Sequence, residues 1–275
     1  KPRYRDVHRR LEAARFSVLV AHRRFGKTVL AVNHMIRMAL LCKRQRPIIG
    51  YVAPYRNQAK MVAWDYLKHY TSVLPGRVVN ESELSITLPN GAFLRVFGAD
   101  NPDALRGLYF DGVILDEVAQ MRPEVWEEIV RPALSDRMGW AVFIGTPKGP
   151  NLFQTLYADA LKFSKEGTKD YDPDWCAMLY RVDQTHTVPE EELRKLRREM
   201  SENAFQQEYM CDFGASSDDI LIPLTIVQEA AGPDPSRKYY APVKENPESF
   251  DGKYLAVYRD GDRCIKVFNE GLYEM

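Results

Sequence analysis

The chain has 275 residues, 45% of them apolar, which is enough for one large core or one core with a small appendage. No stretch approaches the roughly 18 apolar residues of a membrane-spanning helix, and the basic start KPRYRDVHRR lacks the apolar centre of an export signal. The net charge is zero, yet residues 1–62 carry 15 Lys/Arg against 2 Asp/Glu, which suits either a polyanionic partner or a solvated basic face balanced by acidic surface elsewhere.

Residues 16–21 (FSVLVA) are short, apolar and rich in β-branched side chains, as a buried strand is. AHRRFGKT follows at 21–28. From Thr28 onward Val29, Leu30, Val32, Met35, Ile36, Ala39 and Leu40 fall at helical spacing, until Arg44 to Pro47 end the run. A second strand, IIGYVAP (48–54), and a second amphipathic helix, NQAKMVAWDYLKHY (57–70), come next. LSITLPNGAFLRVF (84–97) alternates on both sides of Asn90-Gly91, which predicts a hairpin with a type I′ turn. FDGVILDE (110–117) predicts a strand, a helix starts near Pro123, WAVFIGT (140–146) predicts another strand, and a helix spans about 152–164. A less regular region leads to one charged helix over 189–209, a loop at GASSDD and a Pro-rich, polar stretch. The C-terminal GKYLAVYRDGDRCIKVFNEGLYEM reads as a hairpin turning at Arg259–Arg263. Strands alternating with helices imply a mainly parallel sheet covered on both faces.

Four cysteines (Cys42, Cys176, Cys211, Cys264) form no CxxC pair, which favours reduced thiols in a cytosolic protein over a disulfide or zinc framework. The five histidines have no metal-ligand spacing and receive no role.

Three motifs carry chemistry. AHRRFGKT has the spacing of a P-loop if Ala21 stands for the usual first glycine. Gly26 would let backbone N–H groups close around phosphates, Lys27 would reach the β- and γ-phosphates, and Thr28 would offer its hydroxyl to Mg²⁺. The alternative is a basic turn with a solvated Lys27. VILDE (113–117) ends a buried strand in two carboxylates: Asp116 would hold Mg²⁺ through water, and Glu117 would orient or deprotonate the attacking water. The alternative is a strand leaving into an acidic turn. GTPKG (145–149) would put Thr146 at a third strand tip, able to sense the γ-phosphate, unless it is an ordinary Pro-Gly turn. Arg106, shortly before VILDE, is placed to stabilise transition-state charge in its own or a neighbouring subunit's site.

Taken in order, the basic P-loop, APYRNQAK, the hairpin, LRG, VILDE, GTPKG and FQQEYMCDF resemble the large terminase subunit of tailed bacteriophages, over about residues 2–230. The resemblance implies an α/β P-loop NTPase of the additional-strand, conserved-glutamate (ASCE) type: a mainly parallel central sheet with helices on both faces, plus a small C-terminal appendage. It implies an ATPase, with ATP and Mg²⁺ as cofactors, that moves double-stranded DNA into a procapsid. Implied partners are the portal protein, the small terminase subunit and further copies in a homo-oligomeric ring, a pentamer, in the cytoplasm of an infected bacterial host. By the same resemblance Lys27 and Thr28 match the Walker A pair, Asp116 and Glu117 the Walker B strand with its catalytic glutamate, and Thr146 the coupling motif. Arg23 matches the arginine inside the family's P-loop, with Arg24 and Phe25 beside it as further nucleotide-contacting positions, and Arg106 matches the proposed arginine finger.

Two departures stand out. The upstream glutamine that reads adenine in the family is absent from PRYRDVHRR, leaving Tyr4 or Arg5 to stack on the base. At the C-terminus, YYAPV (239–243) would be a first nuclease strand but lacks an aspartate at its end, and Asp251, Asp260 and Asp262 sit in turn-like contexts. The expected organisation is therefore an ATPase domain over 1–215, with a helical lid-like segment at about 186–212. A linker and short segment over 216–275 hold no complete nuclease domain, and no nuclease activity is expected. A superfamily 2-like helicase or repair ATPase, and a non-hydrolysing nucleotide-binding module, are the competing readings.

Overall fold

The apolar runs of the sequence form the parallel heart of an eight-stranded sheet. The computed structural model describes residues 2–215, 254–260, 263–268 and 271–274. The chain divides into two compact units, Lys1–Ser217 and Asp218–Met275.

In the first unit the strands are β1 (Phe16–Ala21), β2 (Ile48–Ala53), β3 (Val78–Asn80), β4 (Ser85–Thr87), β5 (Phe93–Gly98), β6 (Gly112–Asp116), β7 (Trp140–Gly145) and β8 (Trp175–Tyr180). Their order across the sheet is β3-β4-β5-β2-β6-β7-β1-β8. From β5 to β8 every pairing is parallel; the β3–β4 and β4–β5 pairings are antiparallel, so β4 alone runs against the rest of this sheet. β7 thus stands between the strand that enters the P-loop and the strand that ends in Asp116, which is the additional-strand arrangement.

Register aligns the strand ends. Val20 lies opposite Gly145, and Ile144 opposite Asp116. The residues that follow β1, β6 and β7 therefore emerge together on one edge, where open α/β sheets bind ligands. Side-chain alternation fills both faces: Leu19, Ile114, Val142 and Ile144 join one core, and Val18, Val20, Val113, Leu115 and Phe143 the other.

Helix α1 (Pro2–Ala13) packs Val7 and Leu11 into the first core, together with α2 (Lys27–Leu41). A helical stretch α3 follows β2 as Arg56–Ala59, a π-helical turn Lys60–Trp64 and Asp65–Thr71. The other face is covered by α4 (a π-helical Val125–Val130 running into Arg131–Ala133) and α5 (Leu152–Phe163). Beyond β8 come α6 (Val182–Thr185), α7 (Glu190–Glu199) and α8 (Glu202–Glu208), which pack Val182, Phe205 and Tyr209 into a small separate cluster. No helix among the described residues is long and apolar enough to cross a membrane.

Four sequence expectations need correction. The hairpin forms, with Ile86 opposite Leu94, but its turn is not type I′. The Gly91 N–H donates to Leu88 O, Pro89 takes the second turn position, and φ is positive at Gly91 (82°) but not at Asn90. That is a three-residue loop with a glycine bulge, the form that Pro89 favours. The charged helix over 189–209 breaks at Met200, because the Ser201 side chain accepts from the Ala204 N–H and caps a new helix. The region beyond residue 164 contains β8, whose edge position and partly exposed residues hide it from a burial pattern. Asp260 is the last residue of a strand rather than part of a turn.

In the second unit, β9 (Tyr254–Asp260), β10 (Arg263–Phe268) and β11 (Gly271–Glu274) form an antiparallel sheet, with Asp260 opposite Arg263. The YYAPV segment, Asp251 and Asp262 lie outside the described residues.

His34 of α2 is fully buried, stacked on His8 of α1 with the two Nδ1 atoms 3.2 Å apart. Burial pushes His34 down to about 3. An unfolded imidazole takes its proton near pH 6.5, so the unfolded chain binds more protons than the fold between those values, and stability falls as pH drops through that window. His34→Leu should flatten the acid slope by up to about 1.4 kcal/mol per pH unit, read from urea midpoints between about pH 7 and about pH 4. An unchanged slope would refute this account.

Candidate active site

The loop between β1 and α2 owes its shape to two left-handed residues, Arg24 (φ 69°) and Gly26 (φ 94°). A Cβ at Gly26 would also stand 2.9 Å from the Tyr4 hydroxyl, so the position favours glycine on both counts. Tyr4 donates to the Phe25 carbonyl at 2.5 Å. The Phe25 ring is buried, stacked on Tyr180 with centroids 5.2 Å apart and edge-on to Tyr4 and His22. The Phe25 side chain thus anchors the loop to the core, which leaves its backbone N–H as the group it can offer to a nucleotide. Tyr4, too, is engaged with the loop backbone.

Lys27 opens α2 and is buried. Its ammonium donates to Ala21 O at 2.8 Å, His22 O at 3.3 Å and Thr146 Oγ1 at 2.8 Å. Burial lowers its pKa, against the pull of Glu117 and Asp116. Thr28 Oγ1 donates to Asp116 Oδ2 at 3.4 Å, and the Tyr51 hydroxyl on β2 donates to the same oxygen. Asp116 Oδ1 accepts from the Glu117 N–H at 2.9 Å. Burial raises the Asp116 carboxyl, opposed by the Tyr51 hydrogen bond and by Lys27. Burial, then the Asp116 charge, raises Glu117, and burial lifts the Tyr51 hydroxyl well above its ordinary value. Glu117 is held left-handed (φ 53°, ψ 46°), an uncommon state for a non-glycine residue that turns the chain sharply off β6.

Lys27, Thr28, Asp116, Glu117 and Thr146 thus meet at one edge of the sheet. A cation, two hydroxyls and two carboxylates in that setting suit an anionic phosphate together with a hard divalent cation. Arg23 and Arg24 are exposed on the loop; the Arg23 guanidinium lies 4.0 Å from the Glu208 carboxylate, and the Arg23 backbone N–H donates to Glu208 O at 2.8 Å. Arg106 is not joined to this cluster. It is exposed and pairs with Asp103 at 3.2 Å.

The family description for the terminase large subunit, T4likevirus-type, N-terminal part, matches residues 18–223. The chain belongs to that family. The large terminase subunit of Escherichia phage T5 is 27% identical over 203 residues, covering 72% of this chain and 44% of that protein. This chain aligns with less than half the length of the curated relatives it matches. The ATPase domain of the Thermus phage P74-26 large terminase, in a mutant form, superposes with a TM-score of 0.63 at 26% identity, covering 76% of this chain and 92% of that one. The large terminase of thermophilic bacteriophage D6E, solved with ATP-γ-S, gives 0.56 at 16% identity, covering 74% of this chain and 48% of that one, a likeness of fold. The fold of the first unit is accordingly the ASCE P-loop fold of terminase ATPase domains.

Tyr51, His22 and Glu208 are site neighbours that the sequence reading passed over. Tyr51 carried a usable signal, a hydroxyl inside the otherwise apolar IIGYVA strand. His22 and Glu208 lie inside AHRRFGKT and FQQEYMCDF, but neither motif reveals their partners, which lie far away along the chain.

Since burial of the Asp116 charge opposes folding, Asp116→Asn should raise the thermal unfolding midpoint at neutral pH. A lowered midpoint would show that the Tyr51 and Thr28 hydrogen bonds outweigh the desolvation.

Proposed function

We propose that this chain is the ATP-hydrolysing part of a large terminase, a motor that translocates double-stranded viral DNA into a procapsid. The observation that carries the proposal is the convergence of Lys27, Thr28, Asp116, Glu117 and Thr146 at the ends of three adjacent strands. Residues 1–215 would be the ATPase domain, with the helical segment at about 186–212 as a lid-like element.

In this reading the backbone N–H groups of residues 24–28 and the start of α2 cradle the phosphates, and Lys27 reaches the β- and γ-phosphates. Thr28 and Asp116 would hold Mg²⁺, since a hydroxyl and a single carboxylate 3.4 Å apart suit a hard cation that keeps several waters. Bound there, the ion would neutralise phosphate charge. Glu117 orients the attacking water and takes its proton; its raised pKa makes it a better acceptor than an exposed glutamate. Thr146, hydrogen-bonded to Lys27, registers the lysine's position and so the state of the γ-phosphate. Arg23 and Arg24 stand at the loop as candidate γ-phosphate sensors.

The exposure of Arg106 and its local pairing with Asp103 suit an arginine finger acting on a neighbouring subunit of a homo-oligomeric ring, which we propose is a pentamer. The portal protein, the small terminase subunit and double-stranded DNA complete the proposed partners, in the cytoplasm of the infected host.

Glu117→Gln should bind ATP as the wild type does and lose about a hundredfold or more in hydrolysis, measured by phosphate release. Unchanged turnover would overturn the assignment. Arg106→Ala should lower turnover of the assembled ring by about a thousandfold while leaving ATP affinity of the isolated chain unaltered. A loss of affinity in the isolated chain would place Arg106 in its own subunit's site instead.

A further inference from the structure

We infer that His22 is a positioning residue through which the segment 182–187 fixes the acceptors of Lys27. The inference rests on the nucleotide-site reading above. The imidazole is fully buried. Its Nδ1 lies 2.5 Å from Arg23 O and must carry the proton there, because a carbonyl only accepts. Its Nε2 lies 2.7 Å from Thr185 Oγ1 and 3.3 Å from Thr187 Oγ1.

The same residue's carbonyl accepts from the Lys27 ammonium at 3.3 Å and from the Phe25 N–H at 3.2 Å. The ring is therefore tied to the threonines, and the peptide behind the ring is tied to the lysine. Neighbouring bonds reinforce this: the His22 N–H donates to Tyr180 O at 3.1 Å, and the Arg23 N–H to Glu208 O. The first half of the loop is thus held against the end of β8 and the chain that follows it, not only against its own strand and helix.

A bound phosphate would compete with the Ala21 and His22 carbonyls for the Lys27 ammonium. The ease of that exchange depends on how firmly those carbonyls are held. Removing the hydroxyl of Thr185 or the imidazole nitrogens loosens the His22 peptide and takes the nearest of its partners from a buried polar group. Loop order, and with it nucleotide affinity, should then fall. In return, nucleotide binding should tighten 182–187.

A purely space-filling His22 predicts otherwise, and substitutions separate the two. His22→Phe keeps a ring of similar volume against Phe25 but lacks both nitrogens; Thr185→Val removes only the hydroxyl. Each should weaken ATP-γ-S binding about tenfold, with the double variant no weaker than the worse single, and Thr185→Ser should restore affinity. Amide exchange of 182–187 should slow on adding ATP-γ-S to the wild type and not in either variant. Should His22→Phe fail to fold, the Thr185 pair carries the test alone. Unchanged affinity in the folded variants, or losses that multiply in the double, would overturn the role of His22. A wild-type chain that does not bind ATP-γ-S would overturn the nucleotide site, and this inference with it.

Discussion

The site is organised around a buried cation that has oxygen dipoles, not carboxylates, in direct contact. Among the described residues no ion pair includes Lys27; its ammonium is satisfied by Ala21 O, His22 O and Thr146 Oγ1. A direct carboxylate partner would hold the lysine too firmly for an incoming phosphate to displace. Two carbonyls and a hydroxyl satisfy its donors yet leave the charge available. The topology enforces this separation. With β7 between β1 and β6, the lysine's strand and the acidic strand stand about 10 Å apart, twice the spacing of neighbouring strands. That gap is wide enough for phosphate oxygens between the cation and the acids, and Thr146, just past the tip of the intervening strand, accepts from the Lys27 ammonium.

The acidic side shows the complementary economy. Asp116 divides its oxygens: one accepts the Glu117 N–H, the other the hydroxyls of Tyr51 and Thr28. These bonds offset part of the cost of burying the charge while keeping the carboxylate's direction fixed. Glu117 accepts a left-handed backbone in order to leave β6 at once instead of continuing the strand. The local penalties at Lys27, Asp116 and Glu117 are affordable because both faces of the sheet are filled by apolar residues that hold the strand ends in register.

What the sequence made legible follows from range. The strands at 16–21, 48–53, 112–116 and 140–145 were readable because a strand buried on both faces must be apolar throughout, and the P-loop helix because its apolar residues recur at helical spacing. Lys27, Thr28, Asp116 and Thr146 were readable because each lies at or next to an end of one of those elements, and parallel strands bring their ends to one edge. The turn at Pro89–Gly91 was misread because Asn-Gly signals one turn while the preceding proline favours another, and proline prevailed. β8 escaped because an edge strand needs no continuous apolar pattern. Tyr51, His22 and Glu208 escaped for a different reason. Their roles depend on partners 65, 163 and 185 residues away, contacts that no local pattern encodes.

The basic N-terminal quarter illustrates why charge alone decided nothing. Much of it is structural: the Arg10 guanidinium donates to Ala177 O, Arg15 to Gly139 O, Arg37 pairs with Glu12, and Arg44 with the buried Asp111. Arg15 also lies over the Phe16 ring. These guanidiniums join elements far apart in the chain, as their several donors permit. Neither simple reading of the asymmetry, polyanion site or solvated face, therefore describes these four arginines. At the loop itself, the groups within reach of an anion are Lys27 inside it and Arg23 and Arg24 exposed on it. Those three stand at one helix start, where the α2 dipole adds to their charge, and the four arginines above help to hold the scaffold that presents them.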